Sequence, residues 1–587
     1  MDRYCKRLIE VDLPIKRISA HARREKSIRH GHISTLHIWW ARRPLAACRA
    51  VICASLWPDP ANELCPDMFR SVARKQMIKW AVNHLKLLSN DSLTRFVAIS
   101  KDESKLDDLV ELRAALYDFI ADFANWDNST VPEYLETSRL LTKVSHEALG
   151  GELGSRPLVV DPFAGGGAIP LEAIRVGADV YASDLNPLSF LLNKIMLVSI
   201  PKYGQKLSDD VYKWGRRIKE QAEKELGDLY PRDHDGAKPI AYLWARTILS
   251  EAPGQGDIPV EVPLMRSMWL VKKKGRKYAL RWVRRPDGHV CTETTEIEYA
   301  DGVRRTIQRP LMEIFQPKED SDVEGGTIIR GSAICPITGY TTPVARIREQ
   351  IKTRHGGGND ARLIAVVVSR LDTKARTYRL PIHQDVEAFL NSRKLLENLN
   401  SFSPNLTPIP NESLPPKGTL GFRVQPYGMT QWSDLYSDRQ ALALATYCKL
   451  IHRSRDNCCP DEVVDLLAMA LGRLQDLNSS LSTWANTIEA VCGANRAQNR
   501  LSMVWDYVEA VPIAGAGGDW MGQIDWVVRV CNHILASNIL GSFTECVGKN
   551  KEKHRFNCSK AQLKEYFLFP SPPPTSLLGE GGWRRRE

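Results

Sequence analysis

Three common patterns are missing from this 587-residue chain, and each absence narrows what the protein can be. No run of about 18 apolar residues occurs, so the sequence predicts no transmembrane helix. The N-terminus is charged from Asp2 onward, which does not fit a secretory signal peptide. The 13 cysteines are scattered and form no Cys-x-x-Cys pair. Unpaired thiols in an enzyme-sized chain fit a reducing compartment, so we expect a cytoplasmic protein.

Length and charge set broad limits on organisation and partners. A mass of 66.2 kDa predicts roughly two to four domains, and 43% hydrophobic residues are enough for a substantial core. The formal net charge is +11, and the sequence pI is about 8.9. This moderately basic balance makes nucleic acid a plausible partner without implying it by charge alone.

The positive charge is concentrated in two clusters. The first consists of Lys16, Arg17, Arg23, Arg24, Lys26, Arg29, Arg42, Arg43 and Arg49. The second consists of residues 272–277, Arg281, Arg284 and Arg285, interleaved with Trp269, Tyr278 and Trp282. Basic residues can neutralise phosphates and aromatic residues can stack on bases, which favours contact with nucleic acid. Two solvated protein faces are the alternative interpretation.

The most specific pattern is a glycine-rich loop between two strands. An apolar run over 158–161 leads directly into Asp-Pro-Phe-Ala-Gly-Gly-Gly at 161–167, a helical pattern follows, and a second strand over 179–183 ends at Asp184. Glycines let the backbone approach a ligand closely, and an acid about 20 residues further on can bind ribose hydroxyls. The pattern predicts a nucleotide-type cofactor site on a parallel sheet, with a purely structural tight turn as the alternative.

Two common nucleotide loops do not fit this segment. A nicotinamide site favours Gly-x-Gly-x-x-Gly, whereas here three glycines stand in a row. A nucleoside-triphosphate loop needs Gly-Lys-Ser/Thr, which is absent after Gly167.

The loop resembles the S-adenosylmethionine loop of amino-DNA methyltransferases. The resemblance implies that the glycine backbone faces the methionine part of the cofactor, that Phe163 lies beside it, and that Asp184 binds the ribose. The cofactor contacts that we expect are Asp161, Phe163, Gly165, Gly167 and Asp184.

A second segment, 37–49, resembles the family's His-x-x-x-Lys-Pro segment, with Arg43 in place of the lysine before Pro44. In the family this segment leads a helix that packs beside the cofactor loop.

Other segments are similar to one subfamily of adenine-specific DNA methyltransferases, which has an N-terminal domain of unknown function and a zinc-ribbon insertion. They are the N-terminal block, 272–277, 428–432, 478–480 and 503–507, and the resemblance covers about residues 5–540. It implies an α/β fold with a Rossmann-like class I methyltransferase sheet and helical and strand-rich insertions. It also implies DNA as a partner and restriction or defence-system proteins as candidate partners. The lack of a long apolar run predicts no association with membrane.

The chain departs from this subfamily at the zinc ribbon. Relatives carry Cys-Pro-x-x-Cys pairs, whereas here the first place reads Ser-Glu-Ala-Pro-Gly at 250–254 and the second retains only Cys335. Structural zinc sites use four ligands, mostly thiolate or imidazole. We therefore expect no structural zinc and no metal-ligating residues.

The chain also departs at the catalytic tetrapeptide, Asp/Asn/Ser-Pro-Pro-Tyr/Phe/Trp, which positions the target amine and stacks on the flipped base. In relatives it follows a segment like 532–535. Here the nearest string is Ser-Pro-Pro-Pro at 571–574, which lacks the aromatic residue, so we assign no catalytic residues. We expect a truncated chain, through a frameshift around 541–550.

Apolar spacing predicts helices over Pro44–Trp57, Met68–Leu88 and Leu106–Phe123.

The segments expected are a basic N-terminal part of the methyltransferase domain (1–60), a helical insertion (61–150), the cofactor-binding unit (151–237), a strand-rich insertion for target recognition with a degenerate zinc ribbon (238–425), a helical region leading back to the catalytic domain (426–548) and a disordered tail (549–587). Within the insertion, Lys and Arg between 238 and 350 would contact phosphate.

The leading hypothesis is an S-adenosylmethionine-dependent adenine-N6 DNA methyltransferase homologue that modifies DNA. Two alternatives stay open at this point. One is a truncated remnant that binds cofactor or DNA without catalysis, and the other is an RNA methyltransferase, since similar loops occur there.

Overall fold

The structure is a computed structural model that describes residues 4–28, 31–254, 256–370, 376–399, 407–494 and 500–537. The described residues divide into two compact units. The first unit contains those up to residue 210 and from 526 onward, and the second contains 211–525. The predicted tail at 549–587 and the expected frameshift region lie outside the described residues.

The first unit is mostly helical. Its helices are α1 (Ile15–Glu25), α2 (Leu45–Leu56), α3 (Asp67–Asn83), α4 (Asn90–Lys101), α5 (Leu109–Phe123), α6 (Pro132–Ala148), α7 (Ala168–Arg175) and α8 (Pro187–Lys194). Two short strands complete it, β1 (Leu158–Asp161) and β2 (Asp179–Ala182). Three of the helices confirm the sequence predictions, because α2, α3 and α5 begin within three residues of the expected starts.

Aromatic side chains form the centre of the helical part. Trp80 on α3 is fully buried, and its ring centroid lies 4.4 Å from that of Tyr134 on α6 and 5.2 Å from that of Phe119 on α5. Large aromatic side chains bury much apolar area and favour tilted or edge-on contacts of this kind. The cluster explains why α3, α5 and α6 pack together.

A β–α–β unit follows the helices. β1 and β2 pair in parallel, from Leu158 opposite Asp179 to Asp161 opposite Ala182, and α7 connects them. Among the described residues no third strand joins this pair. The described residues therefore form a mixed α/β architecture with several small sheets, and no complete Rossmann-like sheet is present among them.

One face of this strand pair is uncovered. Leu158 and Val160 on β1 are 63% and 55% exposed, and Tyr181 on β2 is 56% exposed. Parallel strands are normally covered on both faces. The helices of the first unit cover the opposite side only, which leaves an apolar strip on the exposed side.

Two helices extend across the boundary of the units. They are α9 (Ile200–Leu226), which is kinked at Gly204, and α14 (Trp520–Ala536), which follows the last strand. The helices that lie wholly within the second unit are α10 (Val344–Lys352), α11 (His383–Glu397), α12 (Asp438–Ser454) and α13 (Asp461–Leu477).

The second unit contains the remaining strands. They are β3 (Lys238–Ala245), β4 (Thr247–Leu249), β5 (Glu261–Pro263), β6 (Trp269–Lys273), β7 (Arg276–Trp282), β8 (Thr292–Glu298), β9 (Arg304–Pro310), β10 (Met312–Phe315), β11 (Ile328–Ile329), β12 (Ser332–Ile334), β13 (Thr341–Thr342), β14 (Arg362–Ser369), β15 (Arg376–Arg379), β16 (Thr483–Ala485), β17 (Ala490–Cys492) and β18 (Asp506–Ala510).

The largest sheet of the second unit is antiparallel, in the order β15-β14-β3-β18. Its inner strand β3 is buried from Pro239 to Ala245, and β14 is buried from Leu363 to Val368. Continuous apolar runs are typical of strands that are covered on both faces. At this sheet a buried ion pair joins Arg439 of α12 to Glu509 of β18, at 2.7 Å between Nε and Oε1.

Two hairpins of the second unit share an apolar core. β4 pairs with β5, β12 pairs with β13, and both hairpins contribute to one cluster that contains Ile248, Val262, Ala333 and Cys335. Ile347 of α10 completes this core and is fully buried. The hairpins are the two places where the sequence predicts the eroded zinc ribbon.

No helix in the described ranges has the length and apolar character needed to cross a membrane.

Candidate cofactor-binding site

The chain turns sharply where β1 ends. Asp161 is 9% exposed, and its Oδ1 accepts a hydrogen bond from the backbone N–H of Phe163 at 3.2 Å. A carboxylate that accepts from the second following N–H forms an Asx-turn, which competes with strand continuation. The turn leaves Phe163 at the carboxyl end of β1 with 86% of its surface exposed.

The glycines meet two separate structural demands. Gly165 and Gly167 have φ of +51° and +75°, where a side chain is strained. A Cβ at Gly165 would stand 2.7 Å from Nε1 of Trp39, and a Cβ at Gly167 would stand 2.5 Å from Cε of Met196. The protein itself thus packs closely on one side of the glycine loop, and a ligand would reach the loop from the exposed side where Phe163 lies.

Asp184 connects the two loops that follow β1 and β2. Its Oδ2 accepts a hydrogen bond from the backbone N–H of Gly165 at 2.8 Å, and its Oδ1 accepts one from Asn186 at 2.9 Å. An ionised carboxylate has about four acceptor positions. One of them joins the two loops through Gly165, one holds the local turn at Asn186, and the others can accept hydrogen bonds from hydroxyl groups. The carboxylate therefore fits a ribose diol.

The carbonyl oxygen of Gly165 is held from α8. Ser189 Oγ donates to it at 2.6 Å, and Asn193 Nδ2 donates at 3.1 Å. These two residues stand four positions apart, so they lie on one face of the helix. Sequence reasoning missed both, although the polar i, i+4 pair directly after the predicted acid was a usable signal.

Two exposed apolar side chains flank the loops. Phe163 and Leu185 are each 86% exposed; Phe163 is one of the residues that the sequence assigns to the cofactor, and Leu185 directly follows another, Asp184. Ligand sites combine apolar contacts with a few convergent polar groups. Here the polar groups are the carboxylate of Asp184 and the backbone of the glycine loop, so the arrangement suits a planar base attached to a ribose.

All five residues that the sequence assigns to the cofactor lie near the carboxyl ends of β1 and β2. Asp161 ends β1, Phe163 and Gly165 lie in the following loop, Gly167 is the N-cap of α7, and Asp184 follows β2. In open α/β sheets this edge is the usual ligand position.

The segment before α2 also reaches this site. Trp39 packs against Gly165 and Gly166, and α2 packs against α7. At the α2–α7 contact, Arg49 Nε donates to Glu172 Oε2 at 2.6 Å, and Arg175 pairs with the same carboxylate. Burial lowers the pKa of Arg175 to about 10, which still leaves it charged at neutral pH. Trp39 is a further residue that sequence reasoning did not assign to the site.

The second basic cluster differs from the surface that the sequence suggested. Most of its cations form ion pairs inside the second unit: Lys272 and Lys277 with Asp320, Lys273 and Arg276 with Glu489, Arg281 with Glu313, and Arg284 with Glu324. A cation that is already paired neutralises a phosphate less effectively. The interleaved aromatic residues also face inward in part, since Trp282 is 5% exposed.

The segment around Cys335, which the sequence compares with the second zinc-ribbon pair, belongs to an apolar core. Cys335 is buried, and its Sγ accepts a hydrogen bond from the N–H of Thr338 at 3.5 Å. Within the ranges that the structure describes, no group of three or more His, Cys, Asp or Glu is placed to hold a metal ion.

Comparison with known proteins finds one family. Residues 12–79 match the family described as "Protein of unknown function (DUF1156)". The match covers α1, α2 and most of α3, including Trp39 and Arg49. No curated protein matches the chain. No solved structure matches it either.

Proposed function

We propose that the chain is an S-adenosylmethionine-dependent adenine-N6 DNA methyltransferase homologue, with the β–α–β unit as the first part of a Rossmann-like methyltransferase sheet. The observation that carries this proposal is the hydrogen bond from Gly165 to Asp184. It places an acid from the end of β2 directly beside the glycine loop from the end of β1. The N-terminal match to a domain of unknown function agrees with the subfamily that the sequence resembles.

Each residue of the site has a defined part in cofactor binding. Asp184 accepts hydrogen bonds from the ribose hydroxyls, and Phe163 and Leu185 contact the adenine. The backbone from Gly165 to Gly167 faces the methionine part, and Asp161 keeps the loop turned away from β1. The cofactor supplies a methyl group on a sulfonium centre.

A second candidate is a protein that binds the cofactor without transferring the methyl group. The observation in its favour is that the 587-residue sequence contains no Asp-, Asn- or Ser-Pro-Pro followed by an aromatic residue. That tetrapeptide would position the acceptor amine. The Gly165–Asp184 arrangement binds cofactor equally well under either candidate.

Cofactor binding is tested by titration calorimetry with S-adenosylmethionine on three proteins: the wild type, Asp184→Ala and Asp179→Ala. Asp179 begins the same strand at its opposite end and serves as the matched control. Hydrogen bonds to a charged group contribute about 1.5–3 kcal/mol, so Asp184→Ala should weaken binding by at least about ten-fold. Thermal unfolding without ligand shows whether the variants are folded. Equal affinity of all three proteins would contradict the site assignment.

The chemical step is tested separately with S-adenosylmethionine labelled on its methyl group. Label on adenine in DNA supports the methyltransferase homologue as an active enzyme. Label on RNA alone supports the RNA methyltransferase. Cofactor binding without incorporation into either polymer supports the non-catalytic candidate.

A further inference from the structure

The end of α1 is fixed to the start of α2 by one buried carboxylate. Glu25 is 7% exposed and accepts hydrogen bonds from the backbone N–H groups of Leu45 and Ala46, at 2.9 and 3.0 Å. Its Oε1 also lies 2.7 Å from Nε2 of His32. The unsatisfied N–H groups at a helix N-terminus favour an acceptor of this kind. This junction brings the last residues of α1 close to the residues that precede α2.

Four cations gather at the junction. Arg23 and Lys26 are exposed at the end of α1, and Arg42 and Arg43 are exposed just before α2. No carboxylate in the described part of the chain forms an ion pair with any of the four. Glu25, which lies between them, is buried and fully engaged with the start of α2 and His32. The junction therefore presents uncompensated positive charge.

In both basic clusters of the sequence, some of the cations are paired with carboxylates of the protein. In the second cluster, Lys272, Lys273 and Arg276 are held by acidic partners of the same unit. In the first cluster, Arg17, Arg24 and Arg49 are held in the same way, by Asp118, Asp127 and Glu172. Arg23, Lys26, Arg42 and Arg43 of the first cluster form no such pair with a described carboxylate, so they stay available to an external anion.

An exposed aromatic ring stands beside these cations. Trp40 is 51% exposed, and one face of its ring stacks on Trp39 with a centroid distance of 4.0 Å and an interplanar angle of 23°. Trp39 itself is buried and packs on Gly165 and Gly166. The two indoles therefore form a continuous connection from the glycine loop to the junction, and Trp40 keeps exposed surface for another ring.

We propose that Arg23, Lys26, Trp40, Arg42 and Arg43, here called the junction patch, bind a strand of nucleic acid. The guanidinium groups of Arg42 and Arg43 contact phosphates, which they can bind with two parallel hydrogen bonds. A base stacks on the open part of Trp40. The proposal rests on the proposed function for the identity of the polymer, and on the charge and the exposed indole for its location.

A nucleic acid fits this combination better than other anions. A small phosphate ligand needs a closed set of donors, whereas these cations are exposed around a helix junction. Stacking on an aromatic side chain contributes to binding of unpaired bases whatever their sequence. The patch lies next to the loop that would hold the methyl donor, so a bound strand would pass close to it.

The test measures fluorescence anisotropy of labelled single-stranded DNA and RNA of equal sequence, over a series of salt concentrations. The variant Arg42→Gln/Arg43→Gln is compared with the control Lys75→Gln/Lys79→Gln, which removes the same charge from exposed positions on α3. Each phosphate contact on a single strand contributes about 0.7 to the slope of log K against log salt. We expect the junction variant to lower that slope by about 1.4, and the control to leave it unchanged. If the junction variant loses affinity for DNA and RNA to a similar degree, the site binds nucleic acid in general. If it loses affinity for one polymer alone, the site is assigned to that polymer.

The variant Trp40→Ala separates stacking from charge. It should weaken binding by about five-fold or more without changing the salt slope, because no charge is removed. Wild-type affinity in both junction variants, or equal losses in junction and control variants, would overturn the proposal. Titration with S-adenosylmethionine on the same proteins tests the cofactor site independently, so failure of one proposal is distinguishable from failure of the other.

Discussion

Arg49 of α2 donates from Nε to Oε2 of Glu172 on α7 at 2.6 Å, and both side chains are at least 99% buried. The same guanidinium also donates to the carbonyl oxygen of Asn125 at 3.3 Å. The pair therefore joins the N-terminal segment to the helix that follows the glycine loop, and this ion pair is buried from solvent.

Breaking this pair should destabilise the first unit strongly. Arg49→Ala leaves Glu172 paired with Arg175 alone and takes a buried donor from the carbonyl oxygen of Asn125, and loss of one partner of a buried ion pair typically costs about 3–5 kcal/mol. We expect Arg49→Ala to lower the free energy of unfolding by that amount in urea denaturation. Arg74→Ala is the control, because its pair with Asp107 is largely exposed and should contribute at most about 1 kcal/mol. Equal effects of the two substitutions would contradict the role given to Arg49.

The contact between Trp39 and the glycine loop predicts coupled substitutions. Gly165→Ala places a methyl group against the indole at a positive φ, so it should destabilise the protein by more than about 1 kcal/mol. Trp39→Ala removes the steric part of that cost. A double-mutant cycle measured by thermal unfolding should give a coupling energy of about 0.5–3 kcal/mol. Simple additivity would show that Gly165 is required for its backbone conformation alone.

Sequence reasoning located the β–α–β unit well because its signals are local. β1 and β2 match the predicted strands, and Asp184 follows β2 as expected. Both the strand pattern and the glycine loop are set by neighbouring residues. The long kinked helix α9 was not predicted, since Gly204 interrupts the helical pattern there.

Contacts between segments that are distant along the chain could not be predicted from the sequence. Two contacts join residues more than 100 positions apart: the packing of Trp39 on Gly165, and the ion pair of Arg49 with Glu172. The ion pairs of the charge cluster at 272–277 could not be predicted from the sequence for the same reason. Its partner Glu489 stands more than 200 positions away, so the pairing depends on the tertiary fold.

His533 of α14 should make stability depend on pH. Its ring stacks on Trp126 at 4.2 Å between centroids, and burial lowers its pKa to about 3, helped by the positive charges of Arg175 and Arg49. The folded state therefore binds a proton less readily than the unfolded state, whose histidine has a pKa of about 6.5. Stability is fully present above pH 6.5 and falls as the pH drops from there toward 3, by up to about 1.4 kcal/mol for each pH unit.

The substitution His533→Phe keeps the aromatic stack and removes the titrating group. We expect its free energy of unfolding to change less than that of the wild type between pH 6.5 and 5, measured by urea denaturation at each pH. His289→Phe changes an exposed histidine and is the control. Parallel pH profiles for wild type and His533→Phe would contradict the assignment.

The hairpins β4–β5 and β12–β13 should not require metal. Their shared core is apolar, and Ile347 is fully buried in it. We expect a zinc chelator to leave the thermal unfolding of the second unit unchanged. Ile347→Ala should lower the free energy of unfolding by about 2–5 kcal/mol. A shift of the transition on chelation, reversed by added zinc, would show that a metal contributes.

The uncovered face of β1 and β2 has an energetic consequence for any ligand of the glycine loop. A pair of short strands with one bare apolar face has little packing to resist local opening. To the extent that the strand pair opens, the ordered loop is a fraction of the ensemble, and the observed dissociation constant equals the intrinsic one divided by that fraction. Binding and local folding would be the same event, so affinity should weaken with mild denaturant before the protein as a whole unfolds.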